Sequence, residues 1–178
     1  MALRKASSYS RKKVRPYTRK SSKKSQAYIK AIPVPKIVRF NMGDTKQYPK
    51  GKYSYEVRLI SEDKLQIRDN AIESCRMYIN KVMDKHSPGQ YFFGVKVYPH
   101  HILRENKTAA GAGADRLSSG MRHSFGIAIG RAALVSPGKE IFLIACPDDR
   151  IARIARDALG DIKSKVPGRT RILFQKVR

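Results

Sequence analysis

The sequence predicts an α+β domain, and three observations carry that prediction. Residues 69–86 and 148–166 repeat apolar side chains at helical spacing, whereas residues 53–60 alternate apolar and polar positions. Residues 141–146 form an unbroken apolar run of strand length, and Pro and Gly punctuate the joins between segments. The order that results, β-β-α-β-β-β-α-β, fits a mixed or antiparallel sheet with two helices packed on one face.

The first 31 positions are unlike anything after them. They carry Arg4, Lys5, Arg11, Lys12, Lys13, Arg15, Arg19, Lys20, Lys23, Lys24 and Lys30 and no acidic residue, the first of which is Asp44. Tyr9, Tyr17 and Tyr28 are spaced among them. Lysine and arginine neutralise phosphates and release counterions, while tyrosine stacks on unpaired bases. Such a composition buries too little apolar surface to fold alone, so an extended arm that orders on RNA is expected. Residues 1–35 are read as this RNA-binding tail, with the eleven cations and Tyr17 as its contacts, and residues 36–178 as the folded domain.

Pro33 and Pro35 close the tail, and residues 36–40 (KIVRF) read as the first strand, ended by a turn at Asn41, Met42 and Gly43. In the second strand, Tyr53, Tyr55, Val57 and Leu59 share a face opposite Ser54, Glu56 and Arg58. The first helix has Ile72, Cys75, Ile79, Val82 and Met83 as its core stripe and Arg76, Asn80, Lys81 and Asp84 on the other side. Asp69 is a candidate cap, but Leu65 extends the stripe backwards and leaves Ser61 as a second possible start. Ser87, Pro88 and Gly89 stop the helix, and residues 91–98 (YFFGVKVY) form the next strand, which Pro99 separates from Ile102 and Leu103.

A short strand is expected at residues 132–135, followed by a turn at Pro137 and Gly138. Residues 141–146 (IFLIAC) then have the composition of a strand buried on both faces. The second helix packs through Ile151, Ile154, Ala155, Ala158, Ile162 and Val166. Asp148 and Asp149 sit at its positive end, Lys163 and Lys165 at its negative end. Pro167 and Gly168 end it, and residues 170–177 are the last strand.

The stretch 97–136 resists explanation by packing. Gly111, Gly113, Gly120, Gly126 and Gly130 lie among Arg104, Lys107, Arg116 and Arg122, with only Glu105 and Asp115 in opposition. Ordering such a run costs more entropy than its apolar surface returns, so a mobile loop over about 104–124, held by strands at both ends, is expected. It is no nucleotide loop: after Gly111 and Gly113 the third glycine of a dinucleotide motif would fall on Arg116, and no Gly-Lys-Ser/Thr occurs. Adjacent His100 and His101 would face opposite sides of a strand, and His86 and His123 lack sequence partners, so neither a metal nor another cofactor is expected. Glu105 and Asp115 are the only acids placed for the rival reading, a metal-dependent nuclease; a free RNA chaperone is a second rival.

Charge narrows the partner. The 178 residues hold 38 Lys and Arg against 14 Asp and Glu, a net charge of +24. Beyond the 11 cations of the first 31 positions, 27 remain in the body beside all 14 acids. A localisation or membrane-surface tag would not need a basic body; a polyanion partner would. Cys75 and Cys146 read as small buried hydrophobes of a reducing compartment, with a disulfide between them left open. The basic N-terminus lacks an apolar signal core, and no run reaches the ~18 residues of a span, so an intracellular, cytoplasmic protein without a membrane partner is expected.

The stretch AGADRLSSGMRHSFG, preceded by VYPHHILRENK, resembles the signature of the archaeal and eukaryotic large-subunit ribosomal protein ten-e family, the counterpart of bacterial large-subunit protein sixteen. RPYTRK, KIVRFNMGD and PGRTRI are similar to the same family, so the likeness spans nearly the whole chain. The resemblance implies a hammerhead-like α+β constituent of the large subunit, seated on ribosomal RNA between the central protuberance and the stalk base beside neighbouring ribosomal proteins, with no homo-oligomer. It also implies a loop reaching toward the peptidyl transferase centre and the acceptor end of a transiently bound tRNA. Arg104, Ala112, Gly113, Ala114, Asp115, Arg116, Gly120, Met121, Arg122, Phe125 and Gly126 occupy the family's loop motif. One departure follows it: the family continues Phe-Gly-Lys-Pro-x-Gly, but here Ile127, Ala128, Ile129 and Gly130 remove the basic residue at the loop's exit.

Overall fold

The apolar run Glu140–Cys146, strand β7, is the centre of a five-stranded antiparallel sheet. The computed structural model describes residues 23–26, 29–106 and 120–177. Within them β1 (Asn41–Gly43), β2 (Tyr55–Ser61), β4 (Phe92–Val95) and β8 (Thr170–Lys176) join β7 in the order β1-β4-β7-β2-β8. A second antiparallel sheet has the order β3-β6-β5, from β3 (Leu65–Arg68), β5 (His101–Glu105) and β6 (Ile127–Val135). Helices α1 (Asp69–His86) and α2 (Asp149–Asp161) complete the α+β fold. The single sheet expected from sequence is therefore two, and the described pairings are all antiparallel.

The core forms where both helices meet the sheets. Ile72, Cys75, Ile79 and Met83 of α1 and Ala152, Ala155 and Leu159 of α2 pack with Val57, Leu59, Phe142, Ile144 and Cys146. On the other side of the same sheet, Leu143 and Ala145 pack with Phe92 and Tyr53, and Tyr48 stacks on Phe92 at 4.1 Å between ring centroids. Strand β7 is thus buried on both faces, as its unbroken apolar run implies. Cys75 and Cys146 are buried and free, and burial pushes their thiols up to about 11 and about 12. They are packing groups with little thiolate character.

The first half of the chain corrects several expectations. Residues 36–40 form no strand: the Lys36 N–H donates to Asp69 Oδ2 (3.1 Å) and the Val38 N–H to Glu73 Oε2 (3.3 Å), so carboxylates of α1 replace a neighbouring strand. Bonding to β4 starts with the Phe40 carbonyl, which accepts from the Val95 N–H at 2.7 Å, and strand β1 begins at Asn41, where a turn was expected. There Gly43 has φ +75°, and a Cβ on it would lie 2.1 Å from the Tyr91 carbonyl oxygen. Leu65 belongs to β3 and not to a backward extension of α1, because Arg68 holds an extended backbone (φ −71°, ψ 148°) that breaks the helical path. Helix α1 starts at Asp69, one residue after the extended Arg68, and the Asp69 carboxylate accepts from the Asn70 N–H of the first turn through Oδ1 (2.9 Å) and from the Lys36 N–H through Oδ2.

Two more corrections concern the second half. Helix α2 closes at Asp161, and Ile162–Lys165 follow as a 3-10 turn, so Lys163, Lys165 and Val166 lie beyond the helix proper. Strand β6 has nine residues where four were expected, because Ile127 and Ala128 pair with Glu105 and Arg104. Pro99 accordingly precedes a real strand, β5, and the loop expected over 104–124 has given up both ends to regular structure.

Candidate nucleic-acid interface

Strands β5 and β6 outrun β3, which pairs only with residues 132–135 of β6, so residues 102–105 and 127–131 continue as a two-stranded ribbon. The register slips between Leu103 and Arg104, leaving Ile129 as an extra residue that packs on Leu103 and Ala132. A bulge of this kind adds twist and re-aims the side chains beyond it. Those are Arg104 and Glu105, the residues at which the ribbon passes into the loop.

Three contacts close the root of the loop. The Arg104 guanidinium lies 4.1 Å from the centre of the Phe125 ring and donates through Nη1 to the Phe125 carbonyl at 3.3 Å. Asn106 Nδ2 donates to the Gly120 carbonyl at 3.4 Å, joining the two sides of the loop. Gly126, at φ +80°, lets the backbones touch: a Cβ there would meet the Glu105 carbonyl carbon at 2.6 Å. His101 is buried in β5, and burial, followed by the nearby His100 and Arg104, holds its imidazole below the usual range. His101 thus adds little positive charge to the ribbon near neutral pH, where its cations are Arg104 and Arg131.

The loop residues named from sequence divide accordingly. Arg104 is half-buried and spent on Phe125, so it is a clamp rather than a projecting contact. Gly120, Met121 and Arg122 form a 3-10 turn, Gly120–His123, with Met121 74% exposed and Arg122 also exposed. Lys107, Gly111, Gly113, Asp115 and Arg116 lie outside the described residues. So do Arg4, Lys5, Arg11, Lys12, Lys13, Arg15, Tyr17, Arg19 and Lys20 of the tail. Lys23 is exposed, Lys24 belongs to a 3-10 turn, Lys24–Gln26, and exposed Lys30 donates to the Ser25 carbonyl.

Sequence reasoning passed over the residue that joins tail to ribbon. Arg131 of β6 donates through Nε to the Pro33 carbonyl at 2.6 Å and through Nη1 to the Tyr98 hydroxyl at 3.2 Å. Tyr98 in turn stacks on Phe40, with ring centroids 5.6 Å apart. The strap 29–40 is thus held by α1 through Asp69 and Glu73 and by the ribbon through Arg131, with Ile29 and Ile37 buried beneath it. The only local signal was a lone cation within the otherwise apolar IAIGRAALV.

Several acids are paired with arginines, from the half-buried sheet surface to the exposed face of α2. Arg58 bridges Glu56 and Glu140, Arg76 holds Glu73 at 2.6 Å, and Arg153 meets Asp149 at 2.8 Å. Each such pair removes a negative charge from the outer field, while Lys36, Arg39, Arg122, Arg171 and Lys176 stay exposed. Glu62, Asp63, Asp84, Asp148, Asp157 and Asp161 are exposed as well, so what the protein offers a polyanion is its excess of cations, 38 Lys and Arg against 14 Asp and Glu. Among the described residues there is no cluster of three or more His, Cys, Asp or Glu able to hold a metal ion, and Glu105, half of the carboxylate pair a nuclease would use, is the half-buried last residue of β5, paired with Ile127. No helix among them is long and apolar enough to cross a membrane.

Comparison with known proteins agrees with this surface. The family model for ribosomal protein L16p/L10e matches residues 14–173. The chain is 44% identical over 177 residues to the large ribosomal subunit protein uL16 of Methanococcus maripaludis strain C5, covering 99% of this chain and 96% of that one. It is 41% identical over 179 residues to the protein of the same name from Staphylothermus marinus, covering 100% and 97%. Against the one from Saccharolobus islandicus it is 44% identical over 158 residues, 88% and 83% of the two chains.

Proposed function

The chain belongs to the ribosomal protein L16p/L10e family, and from that premise we propose how it serves the large ribosomal subunit. It is a structural constituent of that subunit on cytoplasmic ribosomes, not an enzyme. Its two-sheet body is the family's hammerhead-like domain, bound to large-subunit ribosomal RNA and flanked by neighbouring ribosomal proteins. Residues 1–35 act as a basic arm laid along RNA phosphates, and the loop of about 104–124 reaches toward the peptidyl transferase centre and the acceptor end of a transiently bound tRNA. The protein works as a single copy, without a membrane partner.

The observation that carries this reading is the Arg131 latch. Strand β6 bears the root of the loop at one end and, four residues after Ile127, the side chain that grips the tail's exit at Pro33. Tail and loop therefore leave from one rigid ribbon, and an RNA that fixes the tail also fixes the direction of the loop. Body charge supplies affinity, the ribbon supplies direction, and Arg116 and Arg122 are the cations delivered to the second RNA.

Two arms of one experiment test it. Binding to large-subunit ribosomal RNA should weaken steeply with salt, and the slope of log K against log[salt] should become shallower when residues 1–35 are removed, by roughly 0.7–0.9 for each phosphate that the tail neutralises. The double variant Arg116→Ala with Arg122→Ala should still enter the subunit but slow peptide synthesis. A flat salt response would overturn the reading of the charge, and loss of subunit incorporation in the double variant would move the loop's role to assembly.

A further inference from the structure

The five-stranded sheet ends at β8 on an open edge, and its hydrogen-bond phase can be read residue by residue. The Val177 N–H donates to the Ser54 carbonyl and the Glu62 N–H to the Arg169 carbonyl, both outside the strand proper and in register with it. Since β2 and β8 pair without a slip from Tyr55↔Lys176 to Ser61↔Thr170, the odd-numbered residues of β8 point their backbone groups at β2. Thr170, Ile172, Phe174 and Lys176 point theirs the other way, and β8 has no second neighbour among the described strands. Seven residues of straight strand with four outward N–H and C=O pairs make a template for another strand.

From this edge we infer that β8 takes an extended, acidic segment of a neighbouring protein as a sixth strand. This goes beyond the RNA-binding reading and stands or falls separately from it. Three features select that occupant. The edge alternates donors and acceptors at strand spacing; a phosphate backbone brings acceptors and would set its charge against the outward carbonyls, whereas a polypeptide matches both. The flanking side chains are cationic and exposed: Arg169 and Arg171, then Lys176 at the far end. Phe174 is 41% exposed and Val177 51% exposed, so apolar area remains for a partner to cover. A second copy of the chain is the poorer fit, because each copy brings a net charge of +24.

The two faces of β8 define the guest. Ile172 and Phe174 stand opposite Leu59 and Val57 on the helix side, with Lys176 at its end, while Arg171, Leu173 and Gln175 face away from the helices. A complementary strand carries acidic residues opposite Arg171 and Lys176, and β-branched residues opposite Ile172, Leu173 and Phe174.

The test uses the full-length chain and an acetylated peptide of about ten residues, a strand's length, in which glutamates flank a run of valines and threonines. Amide hydrogen exchange is read residue by residue, so that binding of the peptide to the basic tail is not mistaken for docking. The peptide should slow exchange at Ile172 and Phe174 by about tenfold or more, while Leu173 and Gln175, already paired with β2, change little. Arg171→Glu combined with Lys176→Glu should reverse the preference toward a lysine version of the peptide, with protection at Leu173 showing that the sheet remains intact. Unchanged exchange at Ile172 and Phe174 in the wild-type chain would overturn the inference. So would equal protection by a short oligouridylate, or protection that rises with protein concentration alone, which would assign the edge to RNA or to a second copy.

Discussion

Within the five-stranded sheet, six consecutive residues of β7, Ile141 to Cys146, are buried, and its strands are held by apolar contact with two helices and by Phe92, Tyr53 and Tyr48 behind them. In the ribbon of the other sheet, the first five residues of β6 are exposed or half-buried, and the chain is held by particular polar links: Arg104 to Phe125, Asn106 to Gly120, Arg131 to Pro33. Apolar burial is spread over many contacts and unfolds as a unit, whereas discrete links open one at a time. The first region gives the protein its stability, and the second holds residues 29–40 and 120–126, from which the proposed tail and loop leave.

The comparison breaks most visibly at Phe142. Phe142→Ala empties a fully buried site beside Phe93, whose ring centre is 5.9 Å away, and should cost about 3–5 kcal/mol of global stability in denaturant unfolding. Local opening at the loop's root, read as amide exchange of residues 103–105, should be unchanged by Phe142→Ala; faster local opening there in the variant would contradict the division. At Gly126 the effect should be local. Gly126→Ala forces a methyl into the Glu105 carbonyl at a positive φ, costing about 2–3 kcal/mol, read as faster amide exchange in residues 103–105 and 127–129 with β7 unaffected.

The smallest effect concerns the strap. The Arg76 hydrogen bond holds the Glu73 carboxyl below its usual range, and the Val38 amide adds to this. A lowered folded value means that the contribution is present above the ordinary carboxylate range and is lost as pH falls through the folded value. The protection of the Val38 amide, its exchange relative to the intrinsic rate at the same pH, should therefore fall on acidification below about pH 4.5. Glu73→Gln should reproduce part of this at neutral pH, at about 1 kcal/mol, without moving the unfolding of the five-stranded sheet. A strap that stays protected in both cases would mean that Ile29 and Ile37, not the carboxylates, hold it.

Burial decided what could be read from the chain itself. Helix α1, strand β2, strand β7 and helix α2 follow from side-chain periodicity, because an element that buries one face, or both, must write that pattern into consecutive residues. The basic tail and the charge of the body are equally plain in the composition, and the loop motif from Gly113 to Gly126 pointed to the family. Tertiary structure decided what depends on distant partners. The strap 36–40 has the residues of a strand, yet its amides meet carboxylates 33 and 35 positions away; Arg131 finds Pro33 across 98 positions. Residues 65–68 continue a helical stripe in sequence, but pairing with residues 132–135 makes them a strand. A hydrogen bond has no periodicity to leave in the sequence, so polar links across long separations, which here hold residues 33–38 against α1 and the ribbon, became visible only once the chain had folded.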